Sequence, residues 1–139
     1  MDGLRVLIVE DCYLMASAIE DMLIDAGAVV VGTTKSVASA LQILVTQAVD
    51  VACLDINLGW ENSFPVADDL ASRGVPFVFV TSYDATMLPP RHRNQPLVDK
   101  MAVVDELVAA CQVAARRARP IQPPPGLALA DMALPASAQ

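Results

Sequence analysis

The chain has 139 residues, a net charge of −7 and 55% hydrophobic residues, yet only 4% aromatic ones. That suits one globular domain with an aliphatic core, and it excludes non-specific nucleic-acid binding, which needs a basic surface to displace counterions. The three cysteines, Cys12, Cys53 and Cys111, have neither CxxC nor zinc spacing, and an odd number argues against a disulfide framework, so reduced thiols are expected. No charged-then-apolar leader opens the sequence and no apolar run is long enough to span a bilayer. A cytoplasmic location with no membrane partner is therefore expected.

In chain order, apolar runs alternate with helical patterns. Leu4 to Val9 reads as a short buried strand. Leu14, Met15, Ala18, Ile19, Met22, Leu23 and Ala26 then recur at helical spacing, with Gly27 as the stop. Ala28 to Gly32 is a second strand. Ser36 is placed to cap a helix running to about Ala48, with Val37, Leu41, Leu44, Val45 and Ala48 facing inward. Val51 to Leu54 is a third strand, ending at Asp55, and Gly59 to Phe64 is a loop. Pro65 opens a third helix that stops at Gly74, and Phe77 to Val80 is a fourth strand ending at Thr81 and Ser82.

The pattern weakens from Asp84 to Gln95, where Pro89 and Pro90 permit at most a turn of helix on either side. Leu97 and Val98 start a short fifth strand that ends near Lys100, and a last helix runs from about Val103 to Arg119, with Leu107, Val108, Cys111 and Ala115 inward. Residues 120–139 are dominated by proline and alanine and are expected to be a mobile tail beyond a domain of residues 1–119. Five strands alternating with helices predict a doubly wound parallel α/β sheet, whose ligands bind beyond the carboxyl ends of the strands. Glu10 and Asp11, Asp55, Thr81 and Lys100 all fall at such ends.

Two neighbouring acids where a buried strand emerges cost stability unless a cation sits there. Three crowded carboxylates need a counter-charge or must hold a proton. Mg²⁺ prefers oxygen ligands and keeps several waters. Lys100, one of two lysines in the chain, supplies a mobile point charge, and Thr81 a hydroxyl donor. An in-line carboxylate nucleophile, a metal, a cation and a hydroxyl are the apparatus of phosphoryl transfer.

The runs VLIVED with Glu10 and Asp11, DVACLDINLG with Asp55, FVFVTSY with Thr81, and PLVDK with Lys100 resemble the receiver domains of two-component response regulators. The likeness covers residues 4 to about 119. It implies a flavodoxin-like sheet of order 2-1-3-4-5 and phosphorylation of Asp55 by a histidine kinase or phosphotransfer protein. It further implies Mg²⁺ held by Asp11, Asp55 and the Asn57 carbonyl, with Glu10 acting through a metal-bound water and Thr81 and Lys100 meeting the phosphoryl group.

Three features depart from that family. Met101 stands where a proline usually follows the lysine, Leu97 where an aromatic switch residue is usual, and Pro89 and Pro90 break the fourth helix. The run Phe79 to Tyr83 resembles an alphaproteobacterial single-domain subgroup with a Phe-Ala-Thr-Gly-…-Tyr motif, from which Val80 and Ser82 depart. Tyr83 is therefore the expected aromatic partner of Thr81 in switching. His92 reads as a solvated loop residue, Trp60 as a partly covered one and Cys12 as a small packing residue.

About 20 residues after the last helix are too few for an ordinary effector domain. The expected function is a stand-alone, non-enzymatic receiver that signals through or relays to a protein partner. The alternatives are an aspartate-nucleophile phosphatase, faintly suggested by Asp55-Ile56-Asn57, and a receiver-like module that binds without phosphorylation.

Overall fold

A computed structural model describes residues 1–81, 88–100 and 103–118. They form β1 (Arg5–Val9), α1 (Tyr13–Asp25), β2 (Val29–Thr34), α2 (Val37–Thr46), β3 (Val51–Leu54), α3 (Phe64–Ser72), β4 (Phe77–Thr81), β5 (Leu97–Asp99) and α4 (Val103–Ala118). The strands make one parallel sheet in the order β2-β1-β3-β4-β5. The doubly wound, flavodoxin-like expectation is met.

Strand alternation sorts the core into two layers. Val6 and Ile8, Val51 and Cys53, and Val78 and Val80 face one side, where Ile19 and Leu23 of α1 and Leu107 and Cys111 of α4 cover them. Leu7 and Val9, Ala52 and Leu54, and Phe77 and Phe79 face the other, against Leu44 of α2 and Val66 and Leu70 of α3. Burial on both faces explains why these strands read as unbroken apolar runs, and each fully buried aliphatic side chain contributes about 1.5–3 kcal/mol.

Gly27 ends α1 as expected, at φ +98°. Its own N–H bonds to the Ile24 carbonyl and the Ala28 N–H to the Leu23 carbonyl, the Schellman pattern that an L side chain at Gly27 would strain. Along α1 the buried stripe is Ala16, Ile19 and Leu23. Leu14 is exposed instead, because a position two residues before Ala16 falls on the helix face opposite that stripe. In α2, Ser36 caps through the Ser39 N–H at 3.2 Å, but the helix ends at Thr46, so Ala48 stays outside the core, and Val45, a third of a turn round from the buried Leu44, faces solvent.

Between β4 and β5 the described residues contain only a 3₁₀ turn, Pro90–His92, in place of a full helix. His92 is buried, contrary to expectation. Its Nε2 lies 2.8 Å from Asp68 Oδ1, and its ring packs among Phe64, Phe77 and Phe79 with centroids 5.7–6.1 Å away. Arg91 binds Asp68 with both Nε and Nη2, which pulls that carboxyl below its usual range, with His92 adding to it. Periodicity could not show this, because the proline turn folds His92 back beneath α3. Tyr83, Ser82, Met101 and the tail lie outside the described residues.

Candidate functional site

The C-terminal ends of β1 and β3 meet where the strand order reverses, with the end of β4 next to β3. Glu10 follows β1 and Asp55 follows β3, and their backbones are tied by the Asp55 N–H to the Val9 carbonyl at 2.9 Å. Both carboxylates are almost fully buried, whereas Asp11 is exposed at the rim. Glu10, Asp11 and Asp55 can each turn a carboxylate oxygen to within 4.8 Å of the others. The site contains the acidic cluster that the sequence predicts.

Lys100, one residue past β5, reaches back across the strand ends. Its Nζ donates to Asp55 Oδ2 at 2.9 Å and to Glu10 Oε2 at 3.2 Å. The same Nζ lies 3.0 Å from Glu10 Oε1, yet that buried oxygen receives no hydrogen bond of good geometry. One ammonium thus serves two buried acids. Burial pushes the Glu10 carboxyl up to about 7, the neighbouring Asp55 adds to the rise, and the Cys12 N–H and Lys100 pull against it. The lysine's own pKa is lowered by burial but raised on balance by its bonds to Asp55 and Glu10. Thr81 ends β4 buried, paired in register with Asp99 of β5. Glu10, Asp55, Thr81 and Lys100, which span 90 positions of sequence, are brought to one edge.

Asn57 lies in the loop after Asp55, within a tight hairpin in which it faces Asn62. The hairpin bonds run from the Ser63 N–H to the Ile56 carbonyl and from the Leu58 N–H to the Glu61 carbonyl. They flank the Asn57–Asn62 pair, so the Asn57 carbonyl is not used by the hairpin ladder. A cavity of about 410 Å³ opens beside the acids, lined by Glu10, Asp11, Tyr13, Thr34 and Lys35 among others. Trp60, at the tip of the hairpin, is fully exposed rather than partly covered, and Cys12 is exposed rather than packed.

An oxygen-rich donor set fits a hard divalent cation. Three carboxylates face one lysine, an oxygen of Glu10 is buried without a hydrogen bond, and the Asn57 carbonyl is left out of the local ladder. No helix among the described residues is long and apolar enough to cross a membrane.

Fold and site together define a doubly wound α/β protein with an acidic pocket and an invading lysine at its strand ends. A family model described as the response regulator receiver domain matches residues 6–93, and the chain belongs to that family. Receiver domains accept a phosphoryl group in two-component signalling. Among solved structures, the solution structure of SdrG from Sphingomonas melonis Fr1 is 38% identical with a TM-score of 0.71, the match covering 81% of this chain and 96% of that one. The BeF3-activated conformation of SdrG from Pseudomonas melonis Fr1 is 41% identical with a TM-score of 0.66, over 79% and 98%. The response regulator REC domain of PhyR from Erythrobacter litoralis is 25% identical with a TM-score of 0.68, over 90% and 96%. No curated protein gives a significant match.

Proposed function

We propose that Asp55 is the phosphoacceptor, and that the chain takes its phosphoryl group from a histidine kinase or histidine phosphotransfer protein and passes the signal to a protein partner. The observation that carries this reading is the Lys100 ammonium bonded at 2.9 Å to Asp55 inside a cluster of three acids. An ordinary structural ion pair has no reason to gather two further acids beside it.

In the proposed reaction an Asp55 carboxylate oxygen attacks phosphorus in line with the N–P bond of a phosphohistidine. The new O–P bond forms as the N–P bond breaks, and the imidazole leaves with the electron pair. Lys100 stands where it can follow the incoming phosphoryl oxygens without leaving the site, and the Thr81 hydroxyl is the second donor to them. Asp11, Asp55 and the Asn57 carbonyl would hold Mg²⁺ directly, with Glu10 in its outer shell. When bound, the metal neutralises the acids and the charge on the transferring group.

Switching through Thr81 and Tyr83 belongs to the same proposal, as do a receiver of residues 1–119, a separate tail of residues 120–139 and a cytoplasmic location. The BeF3-activated conformation of the relative SdrG supports a site that answers to a phosphoryl-like group. The test is intact mass after incubation with Mg²⁺ and acetyl phosphate or phosphoramidate. A phosphoryl adduct lost in Asp55→Asn is expected. Rapid turnover of unrelated phosphomonoesters would indicate a phosphatase instead, and no adduct from any donor, a cognate kinase included, would leave a binding module.

A further inference from the structure

We infer that Glu61 is a positioning residue for the cation site: it holds the loop so that the Asn57 carbonyl stays turned toward the metal. The inference rests on the proposed Mg²⁺ site and concerns how that site is kept in shape.

Glu61 is exposed and outside the carboxylate cluster, yet it is bonded at both its ends. Its side-chain Oε2 accepts the Val37 N–H at 2.9 Å. Val37 is the first residue of α2, so that N–H has no partner within the helix, and the positive end of the helix dipole favours the carboxylate there. Ser36 already satisfies a second orphan donor, the Ser39 N–H. The bond spans 24 residues and staples the β3–α3 loop to the β2–α2 corner. That corner contributes Thr34 and Lys35 to the wall of the cavity beside Glu10 and Asp11.

The other end of Glu61 acts on the peptide that carries the proposed carbonyl ligand. Its main-chain carbonyl accepts the Leu58 N–H at 2.8 Å. That N–H belongs to the same peptide group as the Asn57 carbonyl. Because a peptide group is planar and trans, fixing the N–H on one side fixes the carbonyl on the opposite side. Glu61 therefore grips the far edge of the peptide whose near edge is the proposed ligand, and is itself anchored to a helix end. Ile56 and Leu58, on either side of Asn57, are buried and hold the base of the loop. Gly59 brings the loop past Asp11, with a Cβ at that position lying only 3.7 Å from Asp11 Oδ2. A small displacement of the hairpin tip is thus felt both at the carbonyl and at the exposed acid.

The test uses the full chain and Mg²⁺ itself, with affinity measured by titration calorimetry and followed independently by Trp60 emission, since Trp60 is the only tryptophan and neighbours Glu61. Glu61→Ala is expected to weaken Mg²⁺ binding about three- to tenfold, part of the worth of one charge-assisted hydrogen bond, and to lower the metal-free melting temperature no more than Ser36→Ala does. Glu61→Gln, which keeps an acceptor oxygen, is expected to recover most of that loss. Ser36→Ala, which weakens the same helix end without touching the loop, is expected to lower the melting temperature and leave Mg²⁺ affinity intact. Wild-type affinity in Glu61→Ala would overturn the inference. So would a Gln variant as weak as Ala, which would mean that Glu61 acts by charge alone, or equal weakening by Ser36→Ala, which would mean general fraying of α2. If the unaltered chain bound no Mg²⁺, the metal site would fall and this role with it. If Asp11→Asn abolished binding while Glu61→Ala did not alter it, only this role would fall.

Discussion

Strand β3 carries a buried aspartate at each end, and the two are treated in opposite ways. Asp50, before Val51, is balanced by Arg5, whose backbone N–H, Nε and Nη2 all donate to it at 2.8–3.0 Å. That pairing raises the Arg5 guanidinium still further, mainly through the hydrogen bond to Asp50. One acid meets one fork-shaped cation, the geometry in which burial is best compensated. Asp55, after Leu54, shares a single lysine with Glu10 and lies beside Asp11. A structural pair closes its charge account, while a site that binds and releases a charged group leaves it open.

The comparison can be broken at either end of the strand. The largest expected effect is on chemistry: Asp55→Asn should abolish the phosphoryl adduct seen by intact mass, whereas Asp50→Asn should leave it. In stability the order reverses. Asp50→Asn should lower unfolding free energy in urea by about 1–3 kcal/mol, because it leaves a partly buried guanidinium without its carboxylate. Asp55→Asn should hold or raise the stability of the metal-free chain, since it removes one of the repelling acids.

A smaller effect follows from the shared lysine. Lys100→Met should cost about 1–2 kcal/mol in EDTA at pH 8, above the Glu10 value of about 7, and Mg²⁺ should restore part of it. Equal loss with and without Mg²⁺ would mean that the ammonium packs the fold rather than balancing the site. The last effect is a pH slope, shallow at any one pH because it is spread over the whole window. The Glu10 carboxyl has a usual value of 4.5 and is pushed up to about 7 in the folded chain. Between those values the folded state holds a proton that the unfolded state has lost, so metal-free stability should fall as pH rises from about 4.5 to about 7, then level off. Urea unfolding in EDTA across that window checks it, and Glu10→Gln should flatten the slope.

The architecture was legible because both sheet faces are covered. Runs such as Val6 to Val9 and Phe77 to Val80 are apolar at every position, the mark of strands buried on two sides, and Gly27 and Gly74 punctuate the helices between them. Acids directly after such runs are costly without a counter-charge, so Glu10, Asp11 and Asp55, taken together with Thr81 and with Lys100 after the fifth strand, were legible as one group in the sequence. Register could not be read so closely: β2 extends to Thr34, two residues beyond the expected end, because its edge position leaves it only partly covered.

What local sequence determined was thus the order of elements and the residue types at the strand ends, since burial period and charge are properties of single segments. Convergence was decided by tertiary structure: Lys100 meets Glu10 across 90 positions because parallel crossovers return each strand to the same edge. The same holds for His92, which a proline turn folds under α3 against three phenyl rings, and for Glu61, whose partner is a helix end 24 residues away. A loop residue carries no periodicity, so nothing local to His92 or Glu61 records the surface against which each will close.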